Sequence, residues 1–204
     1  ATQVIDTVAA GGVIADGFID AYQQALVSDI EPAVKAQLLS LPTEDYLADI
    51  AANHGLVDVF AIRNAREAVK RLLATHFEQE WRTLYASMLS KREYQPTGEQ
   101  IGRRALRQIA LDYLGYTEKG SADQAHELLA SADNLTDRLA CLRQLLYRGG
   151  ADKAAAALAS FYEAWQHEAL IVNQWFSLQA MWSDAGTVDH VLQLQQHEAF
   201  DWRN

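Results

Sequence analysis

Apolar residues recur every three or four positions along most of this chain, which is the spacing of one buried face of an α-helix. The longest case runs from near Val57 to Met88 and predicts a single helix of about eight turns. No stretch alternates apolar and polar residues long enough to predict a β-strand, and the apolar content leans to leucine and alanine. The sequence therefore predicts an all-α fold. The long apolar stripe comprises Ile62, Ala65, Val69, Leu72, Leu73, Phe77, Trp81, Leu84 and Met88.

Short polar signals mark where individual helices begin. Thr43 precedes two acidic residues, which predicts a capped helix over about Glu44 to Ala52, with a stop at Asn53, His54 and Gly55. Three further starts are predicted because a capping oxygen stands three residues ahead of a side chain that can accept from the cap's own amide. These pairs are Thr97 with Gln100, Ser121 with Gln124, and Asn134 with Asp137.

One predicted helix, from about Ile101 to Gly115, carries a row of arginines. Its inward residues are Leu106, Ile109, Ala110, Tyr113 and Leu114, and its opposite face holds Arg103, Arg104, Arg107 and Gln108. Such a row is typical of a solvated or salt-bridged helix face and is less often an anion site. We therefore expect a solvated or salt-bridged helix face.

Further helices are predicted from Ala151 to about His167, from near Leu170 and after Thr187. About ten helices joined by short polar turns fit stacked helix pairs in a HEAT/armadillo-like superhelix, an α-solenoid. No strict sequence repeat is visible. We expect residues 1–204 to form a single helical domain.

Charge limits the partners of the chain. Seventeen basic and twenty-seven acidic side chains give a net charge of −10, which repels phosphate backbones and anionic lipids. The longest apolar run, Ala154 to Phe161, is far shorter than the ~20 residues of a membrane span. We therefore expect no nucleic-acid partner and no membrane partner. The chain opens without methionine and without a basic region ahead of an apolar stretch, which suggests processing or a piece of a longer polypeptide.

The histidines do not have the spacing of a helical zinc site. Three of them stand in His-Glu pairs, at His126, His167 and His197, but each lacks the second histidine four residues later that such a site needs. His76 is predicted to be a core-edge histidine with a satisfied partner, and Cys141 a small buried hydrophobe. The residues therefore predict no catalytic residue and no metal ligand in this chain.

Four stretches resemble the C-terminal helical domain of bacterial aminopeptidase N, in the M1 family of zinc metallopeptidases. The most specific is FYEAWQHEALIVNQWFSLQA at 161–180, above all Trp175, Phe176 and the Leu178-Gln179-Ala180 that follows. The others are LLSLPTE at 38–44, the helix from Arg104 to Leu114, and NLTDRLA at 134–140. The resemblance covers nearly the whole chain and keeps the order of these stretches.

The resemblance implies a parent zinc metalloaminopeptidase, a hydrolase of four domains, of which this chain is most of the last. Family catalysis uses two histidines and a glutamate as zinc ligands, a glutamate base, a tyrosine and an amine-binding loop, and none of these motifs occurs in this sequence. No catalytic residue is therefore carried over, and substrate contacts stay unknown. The cofactor, zinc, belongs to the parent.

The expected role is enclosure of the parent's active-site chamber and control of peptide access, in a bacterial cytoplasmic enzyme that removes N-terminal residues from peptides. The expected partners are the parent's catalytic domain and the peptides in the chamber. The alternative is an independent helical-repeat module that binds a protein partner.

Two further expectations concern the packing of aromatic and apolar side chains near the end of the chain. Trp165, Trp175 and Phe176 are expected to pack between adjacent helices and not to form a ligand platform. The helix after Thr187 is expected to present four apolar residues to solvent, and this patch would then favour self-association. The four are Val188, Val191, Leu192 and Trp202.

Overall fold

A computed structural model describes residues 1–53, 55–89, 93–182 and 186–203. Over these residues the chain is 72% helical, with twelve helices and no strand, so the all-α prediction is confirmed. The helices are α1 (Thr2–Ala9), α2 (Asp16–Val27), α3 (Pro32–Leu39), α4 (Glu44–Ala52), α5 (Val59–His76), α6 (Glu78–Met88), α7 (Gly98–Leu114), α8 (Ala122–Ser131), α9 (Leu135–Arg148), α10 (Ala151–Trp165), α11 (Ala169–Ala180) and α12 (Thr187–Leu194).

The helices group into two compact units, Ala1–Ser121 and Ala122–Asn204. In the first, α3 and α6 pack on α7, and α1 and α4 pack on α5. In the second, α8 packs on α9, and each later helix packs on the one before it. Helices that bury their apolar faces against neighbouring helices are the pattern of a helical repeat. The single domain over 1–204 stays a prediction.

The predicted helix starts are confirmed. Helix α4 has the predicted bounds, and the Thr43 hydroxyl accepts from Tyr46 N at 3.3 Å. The side chains of Thr97 and Asn134 cap α7 and α9, and α8 begins directly after Ser121. His54, within the predicted stop, lies outside the described residues.

The prediction that the side chains of Gln100 and Asp137 accept from the backbone amides of Thr97 and Asn134 is wrong. The Gln100 side chain accepts from Gln95 N at 2.9 Å and not from the Thr97 amide. The Asp137 carboxylate accepts from the Asn134 side-chain amide at 2.7 Å. The local pattern therefore identified the capping residues, whose side-chain oxygens accept from the helix, while the side chains three residues later accept from other groups.

The single long helix over Val57 to Met88 is also wrong, because the chain bends at Phe77, between α5 and α6. Phe77 leaves helical geometry at φ −113° and ψ 29°. The Leu73 carbonyl there accepts both from Phe77 N at 3.1 Å and from the Trp81 indole Nε1 at 3.2 Å. Phe77 and Trp81 are both buried, so the bend keeps the apolar stripe but divides it between two helices.

Close approach of α3 and α7 depends on a glycine. A Cβ built at Gly102 would lie 2.9 Å from the backbone nitrogen of Ala33, on the facing helix. Backbone cannot yield as a flexible side chain can. The absence of a side chain at Gly102 therefore allows α3 to pack closely against α7.

Gly102→Ala should lower the free energy of unfolding by about 1–3 kcal/mol, because the new methyl group overpacks the contact between α3 and α7. The matched control is Gly98→Ala in the first turn of the same helix, where an added Cβ meets no atom within 4 Å. Urea unfolding followed by circular dichroism measures both variants. Equal stability of the two variants would contradict the close approach.

The second unit is organised around aromatic side chains of α10 and α11. Trp175 is buried, and its indole Nε1 donates to the Leu158 carbonyl at 3.0 Å. The Tyr162 ring lies 5.1 Å from the Trp175 ring, between centroids. Trp165 and Phe176 pack partly buried against the same core. The expected packing role of these three residues is confirmed.

Trp175→Ala should cost about 3–5 kcal/mol of stability, because it removes a large buried ring and its hydrogen bond. Trp202→Ala is the control, since Trp202 is 76% exposed. Thermal unfolding should show a fall of several degrees for the first variant and little change for the second. An unchanged melting temperature for Trp175→Ala would place that ring outside the core.

The last helix has the expected exposed residues, with one exception. Val188, Leu192 and Trp202 are exposed, while Val191 is half-buried. Self-association through this patch stays a prediction. Among the described residues, no helix combines the length and apolarity needed to cross a membrane.

Candidate functional site

The three His-Glu pairs do not come together. His126 and His167 are exposed on α8 and just after α10, as expected of surface histidines. His197 is instead half-buried among the rings of Tyr162, Trp175 and Phe176, at centroid distances of 4.8, 5.4 and 5.5 Å. Among the described residues, no group of three or more His, Cys, Asp or Glu side chains is placed to hold a metal ion.

Of the expectations for Cys141 and His76, the first is confirmed and the second is wrong. Cys141 is fully buried on α9, so its role as a small hydrophobe is confirmed. His76 is exposed at the C-terminal end of α5, and its ring meets the Phe77 ring edge-on at 4.6 Å. The predicted core-edge position of His76 is therefore wrong.

The arginine row on α7 was expected to be a solvated or salt-bridged face, and the solvated alternative is wrong for Arg104 and Arg107, which are buried. Arg104 donates to Gln100 Oε1 at 3.3 Å and lies 4.8 Å from the centroid of the Tyr94 ring. Arg103 donates to the carbonyls of Ser87 and Leu89 at 2.7 and 3.4 Å, and Arg107 donates to that of Met88 at 3.3 Å. The guanidinium groups thus satisfy the carbonyls that a helix end leaves without partners and oppose its partial negative charge. Arg103 and Arg107 therefore hold the end of α6 against α7.

A second helix end is satisfied by two buried tyrosines. Leu39, the last residue of α3, has its carbonyl 2.7 Å from the Tyr22 hydroxyl and 3.1 Å from the Tyr113 hydroxyl, and the two hydroxyl oxygens lie 2.8 Å apart. Two protons suffice if Tyr22 donates to Tyr113 and Tyr113 donates to Leu39. The Trp81 ring stacks on the Tyr113 ring at 4.2 Å. This tyrosine pair therefore joins α2, α3, α6 and α7.

Charged groups from α5 and α7 lie beside this pair. Lys70 is buried, forms an ion pair with Asp112, and lies 5.5 and 5.2 Å from the ring centroids of Tyr113 and Tyr116. Burial raises the pKa of the Tyr22 and Tyr113 hydroxyls above the ordinary value near 10, and for Tyr22 the neighbouring Tyr113 adds to the rise. The Asp112 charge acts in the same direction on both. Both tyrosines are thus kept protonated as hydrogen-bond donors.

The side of α5 away from the core forms a shallow groove of about 450 Å³. Six residues at helical spacing line this outer face of α5: Phe60, Arg63, Asn64, Glu67, Ala68 and Arg71. Glu67 is held by the Tyr116 hydroxyl, which donates to Oε1 at 3.1 Å. The chemistry available here is recognition by charge and apolar contact. The sequence analysis predicted the buried stripe of this helix but not the opposite face, although the residues of that face also recur at helical spacing.

The fold and these surfaces define an all-α repeat domain of stacked helices. Over residues 1–204 the sequence matches the family described as a domain of unknown function (DUF3458_C) with ARM repeats. The chain belongs to this family. That match agrees with the stacked helix pairs predicted from the sequence.

Similar proteins are aminopeptidases. The chain is 34% identical over 195 residues to aminopeptidase N of Caulobacter vibrioides, which covers 92% of this chain and 21% of the relative. It is 32% identical over 196 residues to aminopeptidase N of Escherichia coli, again 21% of that protein. The chain thus spans about a fifth of the length of these curated relatives and matches only their C-terminal domain. The resemblance to bacterial aminopeptidase N is confirmed.

A solved structure shows the same fold. The crystal structure of Legionella pneumophila aminopeptidase A in complex with aspartic acid superposes with a TM-score of 0.84 at 21% sequence identity. The match covers 98% of this chain and 24% of that one. At this identity the likeness concerns the fold.

The buried tyrosine pair predicts a loss of stability in alkali. An unfolded chain releases these phenolic protons near pH 10, whereas the folded chain retains them, so stability present below about pH 10 is lost as the pH rises further. Urea unfolding from pH 8 to 11 should show this fall. Tyr22→Phe should make the fall shallower and cost about 1 kcal/mol at neutral pH.

The control for this series is Tyr46→Phe, because Tyr46 is exposed on α4. It should follow the pH dependence of the unmodified chain. If Tyr22→Phe did the same, the buried tyrosine pair would not be the source of alkaline instability.

Proposed function

We propose that this chain is a non-catalytic helical domain of a zinc aminopeptidase, which encloses the active-site chamber and controls which peptides enter. The observation that carries the proposal is the match along 92% of the chain to an aminopeptidase N that is about five times longer. The catalytic domain of the same polypeptide is the proposed partner, and zinc is held there. A bacterial cytoplasmic location is part of the same proposal.

The physical role follows from what a rigid helical wall does beside a hydrolytic centre. Stacked helices with buried cores exclude folded proteins and long chains by their volume, and they reduce the access of bulk water. The net charge of −10 supports attraction of the protonated N-termini on which an aminopeptidase acts. In this proposal the domain acts on access and local environment, and the zinc chemistry takes place elsewhere in the protein.

The proposal is tested by comparing the complete protein of the natural reading frame with the 204-residue chain. The complete protein should contain one zinc and hydrolyse an alanyl amide, with loss of activity on chelation. The 204-residue chain should do neither, because its sequence lacks the zinc-binding motif. Metal analysis and a chromogenic assay measure this.

Two outcomes contradict the proposal. A complete protein without aminopeptidase activity would favour an independent interaction module. Zinc-dependent activity in the 204-residue chain would show that a site is formed within it. Enclosure itself predicts that the complete protein cleaves a short peptide much faster than an unfolded protein with the same N-terminal residue, and equal rates would count against a closed chamber.

A further inference from the structure

Helix α2 begins with an Asp16-Gly17 pair, the only place in the sequence where a glycine follows an aspartate or asparagine. In such a pair the glycine nitrogen can attack the aspartate side chain, because glycine has no Cβ to crowd that nitrogen and its main chain turns freely. Both residues are exposed. A Cβ built at Gly17 meets no atom within 4 Å, so the pair has open space around it.

The main chain at this pair is weakly held. Because α2 starts at Asp16, no earlier helical turn supplies an acceptor for the Gly17 amide. The N-cap residue is Ala15, which makes no side-chain cap hydrogen bond. Val13, two residues earlier, is 88% exposed. Helix ends with few contacts open at a small cost in free energy, so Asp16 can leave helical geometry while the rest of α2 stays folded.

A second aspartate of the same helix lies in a different setting. Asp20 is also exposed, but the residue after it is Ala21. Ala21 lies in the second turn, where an α-helix supplies each amide with the carbonyl of the residue four positions earlier. The helix therefore restrains the main chain after Asp20 and does not restrain it after Asp16.

We propose that Asp16 is a site of spontaneous isomerisation to isoaspartate. The Gly17 nitrogen forms a bond to Cγ of Asp16, and the carboxyl hydroxyl leaves as water with the amide proton, which gives a five-membered succinimide. Water then opens the ring. Cleavage between the nitrogen and Cγ restores aspartate, whereas cleavage between the nitrogen and the main-chain carbonyl carbon of Asp16 gives isoaspartate. One water is lost and one is gained, so the reaction needs no other reactant.

Isoaspartate changes the path of the main chain at the start of α2. The main chain gains one methylene group, and the carboxylate is left directly on Cα, so the first turn loses its helical spacing. Phe18 lies in this turn, where its amide donates to the Ala15 carbonyl at 2.9 Å. The Phe18 ring also lies 5.9 Å from the Tyr22 ring, between centroids. The modification therefore loosens the part of α2 that precedes the buried tyrosine pair.

The test follows the complete protein during prolonged incubation at neutral pH. Peptide mapping with electron-transfer fragmentation distinguishes isoaspartate from aspartate, and the succinimide is lighter by one water. An unstructured peptide with the sequence of residues 11–22 gives the rate in the absence of a helix. Asp16 of the protein should isomerise at no less than about a tenth of the rate in the peptide, because only the first turn has to open.

Two variants separate the effect of position from that of the Asp-Gly pair. Gly17→Ala should slow the formation of isoaspartate at least about tenfold, because a Cβ then crowds the attacking nitrogen. The open space at Gly17 accommodates the new methyl group. Ala21→Gly places a second Asp-Gly pair inside the helix, and Asp20 of this variant should isomerise at least about tenfold more slowly than Asp16. Circular dichroism checks that both variants retain their helices.

The inference is overturned if Asp16 of the protein isomerises more than about tenfold more slowly than in the peptide, since the first turn would then be held closed. It is also overturned if Asp20 of the Ala21→Gly variant reacts as fast as Asp16, because the open first turn would then have no influence on the rate. Neither readout depends on aminopeptidase activity. Failure of the proposed function would therefore leave this test unaffected.

Discussion

The carbonyl of Leu39 is the point on which the first unit depends. A helix end buried without partners would cost stability, and here the Tyr113 hydroxyl of α7 donates to the Leu39 carbonyl while the Tyr22 hydroxyl of α2 donates to Tyr113. Because Trp81 stacks on Tyr113, the same contact fixes α6. Trp81 in turn donates to Leu73 and so holds the bend between α5 and α6. One carbonyl group thus sets the relative positions of α2, α3, α6 and α7.

The exposed surface of this unit follows from that internal arrangement. With the buried stripe of α5 packed inward, Phe60, Asn64, Ala68 and Arg71 are left exposed on the outside. The arginines of α7 are used internally, since Arg103 and Arg107 donate to the end of α6.

Local signals were read correctly from the sequence, and long-range ones were not. Thr43, Thr97 and Asn134 cap helices because a cap depends on neighbours three residues away. The bend at Phe77 depends on where the Trp81 indole finds an acceptor, and helical spacing continues unchanged across it. Arg103 and Arg107 were expected on a solvated or salt-bridged face, because spacing alone does not show that the end of α6 lies beside them.

The central proposal is that this chain works as one part of a larger aminopeptidase. A structure of the complete protein, solved with its metal bound, tests this most directly. We predict a metal centre with all its ligands outside these 204 residues. A metal bound by residues of this chain would contradict the account.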